Sequence, residues 1–256
     1  MTACYALRCG LLLAWLAVPA IALADDFRVH NKIFLAGGKE PVAETITVFR
    51  AGRVYDFQPK TLETTIFDPS QDLFVLLDAG RRTKCEVPTA RIADYVARLK
   101  IEARMHGEPL LAFLADPRFD ESTDADSGAL NLSSDWLSYR VETEKAATSQ
   151  SALQYGEFAD WSAQLNCLAN PSSLPPFARL ALNDALRRRQ ALPLRLEFSL
   201  SKRAGGRPAL TRRSQHTVQW GLSQEDQRRI NEAADQLATF TTVGLDQYLR
   251  RPPKTP

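Results

Sequence analysis

Three consecutive short strands, at 61–87, constrain the fold more than any other part of the sequence. The middle strand, 73–77, is apolar on both faces, because alternate residues of a strand point to opposite sides and every residue here is hydrophobic. Such a strand must be covered by other elements on each side. The tetrapeptide 68–71 begins with Asp68 and Pro69, which is typical of a type I turn and predicts a hairpin between the first two strands.

The rest of the chain predicts more strands and several helices. Alternating segments at 27–35, 44–49 and 53–57 extend the first three strands into an antiparallel meander. Apolar residues at helical spacing predict helices at 88–104, 151–169, 175–189 and 223–240, whereas 110–115 reads as a strand. These patterns predict an α+β fold: a strongly curved antiparallel sheet of eight to ten strands, a half-barrel, with the helices on its concave face or at its end.

The first 24 residues have the pattern of an export signal. They combine Arg8, a short apolar run and an A-x-A-like cleavage motif at 22–24, which predicts a signal peptide at 1–24. We therefore expect a single α+β domain at 25–249, a disordered tail at 250–256 and a periplasmic or secreted location. No later stretch approaches about 20 apolar residues, so we expect no membrane span after removal of the signal.

Cys85 and Cys167 are the cysteines that remain after the predicted cleavage. In an exported protein they could join as one disulfide closing a long loop. The alternative is two separate buried thiols, since cysteine is among the most buried residue types. Sequence spacing does not decide between them.

Charge is unevenly distributed along the chain. Residues 25–170 contain 16 basic and 23 acidic residues, and residues 171–256 contain 15 basic and 7 acidic ones, which gives −7 and +8. Either the two parts pack together and offset each other, or the basic part faces an anionic membrane, polysaccharide or protein. Nucleic acid is not an expected partner outside the cytoplasm.

The sequence contains no pattern that predicts catalysis, a metal centre or a cofactor site. His30, His106 and His216 are far apart and lack ligand spacing, so each is interpreted as structural. Glycine motifs for phosphate binding are absent. The acidic loop 116–128 has alternating oxygen ligands, as calcium loops do, but not the EF-hand register, and a solvated loop is the preferred interpretation.

One part of the meander resembles a known family. Strand 53–57, followed by Thr65-Ile66-Phe67-Asp68-Pro69 and then Phe74-Val75-Leu76-Leu77, is similar to the meander of periplasmic lipoprotein-carrier (LolA/LolB-like) domains. This resemblance implies a half-closed antiparallel barrel with helices in its concave face, and an apolar cavity between them that accepts acyl chains.

We therefore expect a non-enzymatic exported protein of the cell envelope that holds an acyl chain or a lipidated partner between sheet and helices. The residues expected to line the ligand are aromatic or aliphatic and belong to the two-sided hairpin, the aromatic helix or a late strand: Phe67, Phe74, Leu76, Phe158, Trp161, Leu165 and Trp220. The alternative is an envelope interaction or scaffold protein that uses its basic C-terminal surface and binds no small ligand.

Overall fold

One large sheet organises the chain. The computed structural model describes residues 26–250, so the predicted signal peptide at 1–24 and residues 251–256 of the predicted tail lie outside the described part. The strands of the sheet are β1 (Phe27–Leu35), β2 (Ala43–Arg50), β3 (Arg53–Gln58), β4 (Glu63–Asp68), β5 (Leu73–Asp78), β6 (Thr83–Pro88), β7 (Asp120–Thr123), β8 (Leu130–Ser133), β9 (Leu137–Lys145), β10 (Ala191–Ser201), β11 (Pro208–Trp220) and β12 (Thr241–Thr242).

The sheet is mostly antiparallel, and its order is β12-β6-β5-β4-β3-β2-β1-β11-β10-β9-β8-β7. The first strand, β1, pairs with both β2 and β11, so it joins the N-terminal meander to the later strands. The pair β12–β6 is parallel. The twelve strands exceed the eight to ten predicted, because segment 120–123, predicted as loop, is β7, and the short β12 adds an edge.

The helices are α1 (Thr89–Met105), α2 (Pro109–Ala115), α3 (Ser149–Ala169), α4 (Phe177–Arg188), α5 (Gln224–Thr239) and α6 (Leu245–Leu249). The four predicted helices are confirmed, with ends that differ by one or two residues. The prediction of a strand at 110–115 is wrong, since this segment is α2 with Pro109 in its first turn. A short apolar run does not by itself distinguish a buried helix from a buried strand.

An apolar row crosses seven neighbouring strands on one face of the sheet. Its members are direct cross-strand partners from β11 to β6, and we call them the aromatic row: Trp220, Phe27, Phe49, Val54, Phe67, Phe74 and Val87. The rings of Phe27 and Phe49 stack with their centroids 4.1 Å apart. Helix α3 lies on this row, because Phe158 meets the ring of Phe49 edge-on at 6.0 Å.

Strand β5 is covered on both faces, as its sequence requires. Phe74 and Leu76 belong to the core cluster with α1 and α3. Leu77 belongs to a separate cluster on the other face, where Ile230 of α5 packs against it. Helix α5 therefore supplies the second cover of β5, on the face opposite to α1 and α3.

Ion pairs connect the acidic and the basic parts of the chain. Arg187 contacts Asp160. Arg188 and Arg189 both contact Glu121 on β7. Opposite charges from the two parts of the chain thus offset each other inside one fold, which was the first of the two explanations for the uneven charge distribution.

Removing the side chain that β5 buries under α5 should destabilise the fold. Leu77 is fully buried, so Leu77→Ala is expected to lower the free energy of unfolding by about 2–5 kcal/mol. Urea denaturation of the double variant with Ile230→Ala should show coupling beyond about 0.5 kcal/mol, because the two residues share one cluster. Leu130→Ala, in a different cluster, is the control and should add independently of Leu77→Ala; coupling of equal size in both pairs would contradict the two-cover arrangement.

Candidate functional site

A cavity of about 880 Å³ lies between the sheet and helices α3 and α4. Its walls come from the central strands, the inner faces of both helices and the segment 170–176 that joins them. The volume is within the usual range of small-molecule sites, about 300–1,000 Å³. This cavity is the candidate functional site.

Small side chains on α3 leave the space open. Ala159, Ser162 and Ala163 line the cavity and lie on one face of the helix at spacings of three and four residues. Of the bulky residues of the same helix, Tyr155 and Phe158 reach the cavity wall, whereas Leu165 is buried in the core cluster beneath α1 and α3. The helix therefore packs tightly along one stripe and stands away from the sheet along the other.

The floor of the cavity is polar, in contrast to the aromatic row beside it. Two further rows run across the same face of the sheet, one pairing Val29, Thr47 and Asp56, and the other pairing His216, Asn31 and Thr45. Together with a serine of β11 they form what we call the polar floor: Asn31, Thr45, Thr47, Asp56, Ser214 and His216. The cavity therefore begins where the sheet face changes from aromatic to polar.

Asp56 is the carboxyl group of the polar floor. It accepts a hydrogen bond of 2.6 Å from the hydroxyl of Thr47. Burial in the cavity raises the pKa of Asp56 to about 6, and the hydroxyls of Thr47 and Thr45 only partly oppose this rise. Near neutral pH this carboxyl can therefore take up or release a proton.

His216 is held neutral at the other side of the floor. Burial lowers the pKa of His216 to about 3, and the positive charge of Arg179 contributes to the decrease. The ring nitrogen Nε2 lies 2.9 Å from the hydroxyl oxygen of Ser214. The second nitrogen, Nδ1, is buried without a hydrogen-bond partner, as is Oδ1 of the neighbouring Asn31. Unpaired buried polar atoms are uncommon in folded proteins, and these two face the cavity.

Arg179 brings a positive charge to the cavity wall. Its Nε donates to Oδ1 of Asn183 at 2.9 Å, and Nδ2 of Asn183 in turn donates to Asp160 at 2.9 Å. Asp160 also binds Arg187, whose guanidinium passes close to Gly156; a Cβ at position 156 would lie 3.2 Å from its Nε. Glycine in the middle of α3 is thus explained by this close approach, and the network orients Arg179 through a neutral amide.

Two tyrosines complete the polar wall. Burial raises the pKa of Tyr139 to about 12, and Arg179 opposes this rise. Burial also raises the pKa of Tyr155, which is influenced by both Arg179 and Asp56. Tyr155 therefore lies within electrostatic range of one positive group, Arg179, and one negative group, Asp56, and both phenols stay protonated donors at neutral pH.

Of the residues that the sequence suggested as ligand-lining, the structure places only Phe158 on the wall of the cavity. The others belong to the packed core or to the surface: Phe67, Phe74, Leu76 and Leu165 are buried in one core cluster, Trp161 packs against that cluster, and Trp220 is 40% exposed. Aromatic stripes here build the core beside the cavity.

Cys85 and Cys167 are separate buried thiols in the structure. Cys167 lies on the cavity wall and donates to the carbonyl oxygen of Leu174 at 3.1 Å, which holds the segment after α3. Burial raises the pKa of both thiols. This arrangement is the second of the two alternatives left open by the sequence.

In the acidic loop, Asp124 accepts hydrogen bonds from Ser127 and pairs with Arg140 at 3.0 Å. These partners hold the pKa of that carboxyl well below its usual range. Among residues 26–250, no group of three or more His, Cys, Asp or Glu side chains could hold a metal ion. Within the same residues, no helix is both long and apolar enough to cross a bilayer.

Sequence reasoning missed the groups that give the cavity its chemistry. Asp56 carried a usable signal, because it alternates with the core residue Val54 on β3 and a carboxylate at a core-facing position is unusual. Arg179 carried none, since its environment depends on how α4 is rotated against the sheet. The chain matches no protein-family model and no curated protein, so the geometry of the cavity carries the functional argument.

The raised pKa of Asp56 makes a pH-dependent contribution to stability. Because the folded-state pKa of about 6 is above the ordinary 3.8, the folded state binds more protons between these values, and stability falls as pH rises through that window. The stability gained by Asp56→Asn should therefore be larger at pH 8 than at pH 4, by about 2 to 3 kcal/mol. Urea denaturation at both pH values measures the difference, with Asp94→Asn on the exposed face of α1 as control; a gain at pH 4 equal to that at pH 8 would contradict the assignment.

Proposed function

We propose that this protein is a non-enzymatic binding protein that holds an amphipathic ligand, with an acyl chain or a similar apolar body, in the cavity between the sheet and helices α3 and α4. The observation that carries the proposal is the cavity itself: about 880 Å³, lined both by apolar side chains and by polar and charged ones. Such a combination is typical of small-molecule sites.

The lining separates the two kinds of contact that an amphipathic ligand needs. Apolar contact is supplied by side chains from β9, β10, α2 and α3: Leu114, Leu137, Phe158, Leu196 and Phe198. Hydrogen bonding is supplied by the polar floor and Arg179. An apolar chain could gain about 0.8 kcal/mol for each methylene that it buries.

Binding is favoured over catalysis because the polar groups do not form a reactive pair. His216 is directed to Ser214, and Asp56 to Thr47. The nucleophile, base and orienting group of hydrolytic enzymes require a chain of hydrogen bonds from one to the next. In the described residues, no such chain connects Ser214 and His216 to a carboxylate.

We also propose a lipid-like ligand or a lipidated partner and a location outside the cytoplasm. The resemblance of strands β3 to β5 to lipoprotein-carrier domains supports an acyl ligand or a lipidated partner, and a half-barrel curvature of the sheet would give that ligand a concave floor. The signal-like residues 1–24 support work in the periplasm or outside the cell. The alternative, a scaffold acting through a basic surface, has less support because Arg187, Arg188 and Arg189 are paired with carboxylates.

Filling the cavity should abolish binding without unfolding the protein. Ala163 lines the cavity, so Ala163→Phe places a ring in the space that the ligand would occupy. We expect the wild-type protein to bind the neutral fluorescent probe N-phenylnaphthylamine and the variant to bind it at least about tenfold more weakly. Fluorescence titration measures both affinities.

Ala234→Phe is the matched control, since Ala234 is exposed on α5 and far from the cavity. It makes the same chemical change and should leave probe binding unaltered. Probe binding that survives in Ala163→Phe, or that is equally reduced by Ala234→Phe, would be incompatible with a ligand in this cavity.

A further inference from the structure

Arg179 differs from the other arginines of α4 in its electrostatic partners. Arg187 pairs with Asp160, and Arg188 pairs with Asp184 and Glu121. In the part of the chain that the structure describes, Arg179 has Asn183 as its hydrogen-bond partner and forms no ion pair. Its charge is therefore uncompensated on the wall of a cavity.

The network around Arg179 preserves that charge and fixes its direction. Asp160 accepts from the amide nitrogen of Asn183, so the amide oxygen must face Arg179, where it binds Nε. Asn183 is 2% exposed, which limits its movement. The bond to Asn183 uses Nε and its acceptor is neutral. Among the described residues, the two terminal nitrogens of the guanidinium have no partner, so they remain available to a charged group in the cavity. A guanidinium cannot lose its proton and matches carboxylate or phosphate oxygens with two parallel donors.

The opposite charge of the cavity does not play the same role. Asp56 already accepts from Thr47 at 2.6 Å, and its carboxyl can become neutral by taking up a proton. Arg179 has no such route. The cations of the wall, Arg179 together with Arg212 and Arg213, and not the carboxyl, thus decide which head group the cavity favours.

We infer that the cavity recognises an amphipathic anion, whose carboxylate or phosphate head group pairs with Arg179 while its apolar chain lies along Phe158, Leu196 and Phe198. This inference rests on the proposed function and specifies its ligand class. The tyrosine hydroxyls of Tyr139 and Tyr155 are additional donors near the same head group.

Ligands that share one chain and differ in head group test the inference. Dodecanoate, dodecyl phosphate, dodecanol and dodecylamine are each used to displace N-phenylnaphthylamine from the full chain at neutral pH. At least one of the two anions should bind about tenfold or more tightly than dodecanol, since hydrogen bonds to charged groups are stronger than neutral ones, and dodecylamine should bind most weakly. The tighter anion identifies the head group.

Substitutions at Arg179 connect the preference to this side chain. Arg179→Gln should weaken binding of the preferred anion by about tenfold or more and leave dodecanol within about twofold, whereas Arg179→Lys should keep most of the preference. Arg188→Gln removes an arginine of the same helix that is already paired, and should change neither affinity. Thermal unfolding of each variant confirms that it folds.

The outcomes separate this inference from the proposed function. Equal binding of dodecanol and both anions, or an anion preference that Arg179→Gln leaves intact, would overturn the role of Arg179 while the cavity remained a binding site. Tightest binding of dodecylamine would assign recognition to Asp56 and overturn the inference as well. A wild-type protein that binds neither the probe nor any of the four compounds would refute the proposed function itself.

Discussion

The arrangement of this protein depends on the aromatic row, which crosses seven strands on one face of the sheet. Aromatic side chains bury large apolar areas, so this row must be covered, and α3 covers it through Phe158 and Tyr155 against Phe49. The next rows carry Asp56 and Asn31. Asp56 has Thr47 as its partner, whereas Oδ1 of Asn31 is buried without one. The small residues of α3 leave the space above these groups open, and the cavity is the result.

Electrostatic contacts then fix the roof of the cavity. Asp160 on α3 receives both Asn183 and Arg187 from α4, so the two helices are joined by one carboxylate at their crossing. Gly156 permits the approach of Arg187. Asn183, held by Asp160, accepts a hydrogen bond from Nε of Arg179 and so fixes the orientation of that side chain. The carboxylate that joins α3 to α4 thus also orients Asn183, and through it Arg179 on the cavity wall.

The sequence predicted much of the fold and little of the site. Period-two alternation located β1 to β6 closely, and the doubly apolar β5 correctly required two covers. The sequence did not show that α5 provides one of these covers, because alternation within a strand does not identify which helix packs on which face of the sheet. Apolar spacing in α4 predicts Phe177, Leu180, Ala181 and Ala185 as its inward face. Ala185 is buried and Phe177 packs partly buried against a core cluster, but Ala178, Leu182 and Leu186 are buried as well. The orientation of α4 places Arg179 on the cavity wall and buries Asn183 beside it, and an amphipathic pattern with arginines on several sides does not fix that orientation. The aromatic residues chosen as ligand contacts are mostly core, because close-packed rings bury more area against each other than beside an open space.

The cavity lies at the boundary between two cores, and this position explains why neither fills it. The cluster beneath α1 and α3 is centred on the aromatic row, and a second cluster beneath α2 and α4 is built on β8 to β10. Between them, β11 and β1 present Ser214, His216 and Asn31, which belong to neither cluster. Helix α3 is held mainly by the first cluster and α4 mainly by the second, and the contacts of Asp160 with Asn183 and Arg187 join the two helices above the space between the clusters. A ligand entering this space would complete the apolar surface of both clusters without displacing the packing of either, which is the condition under which a preformed site costs little to occupy.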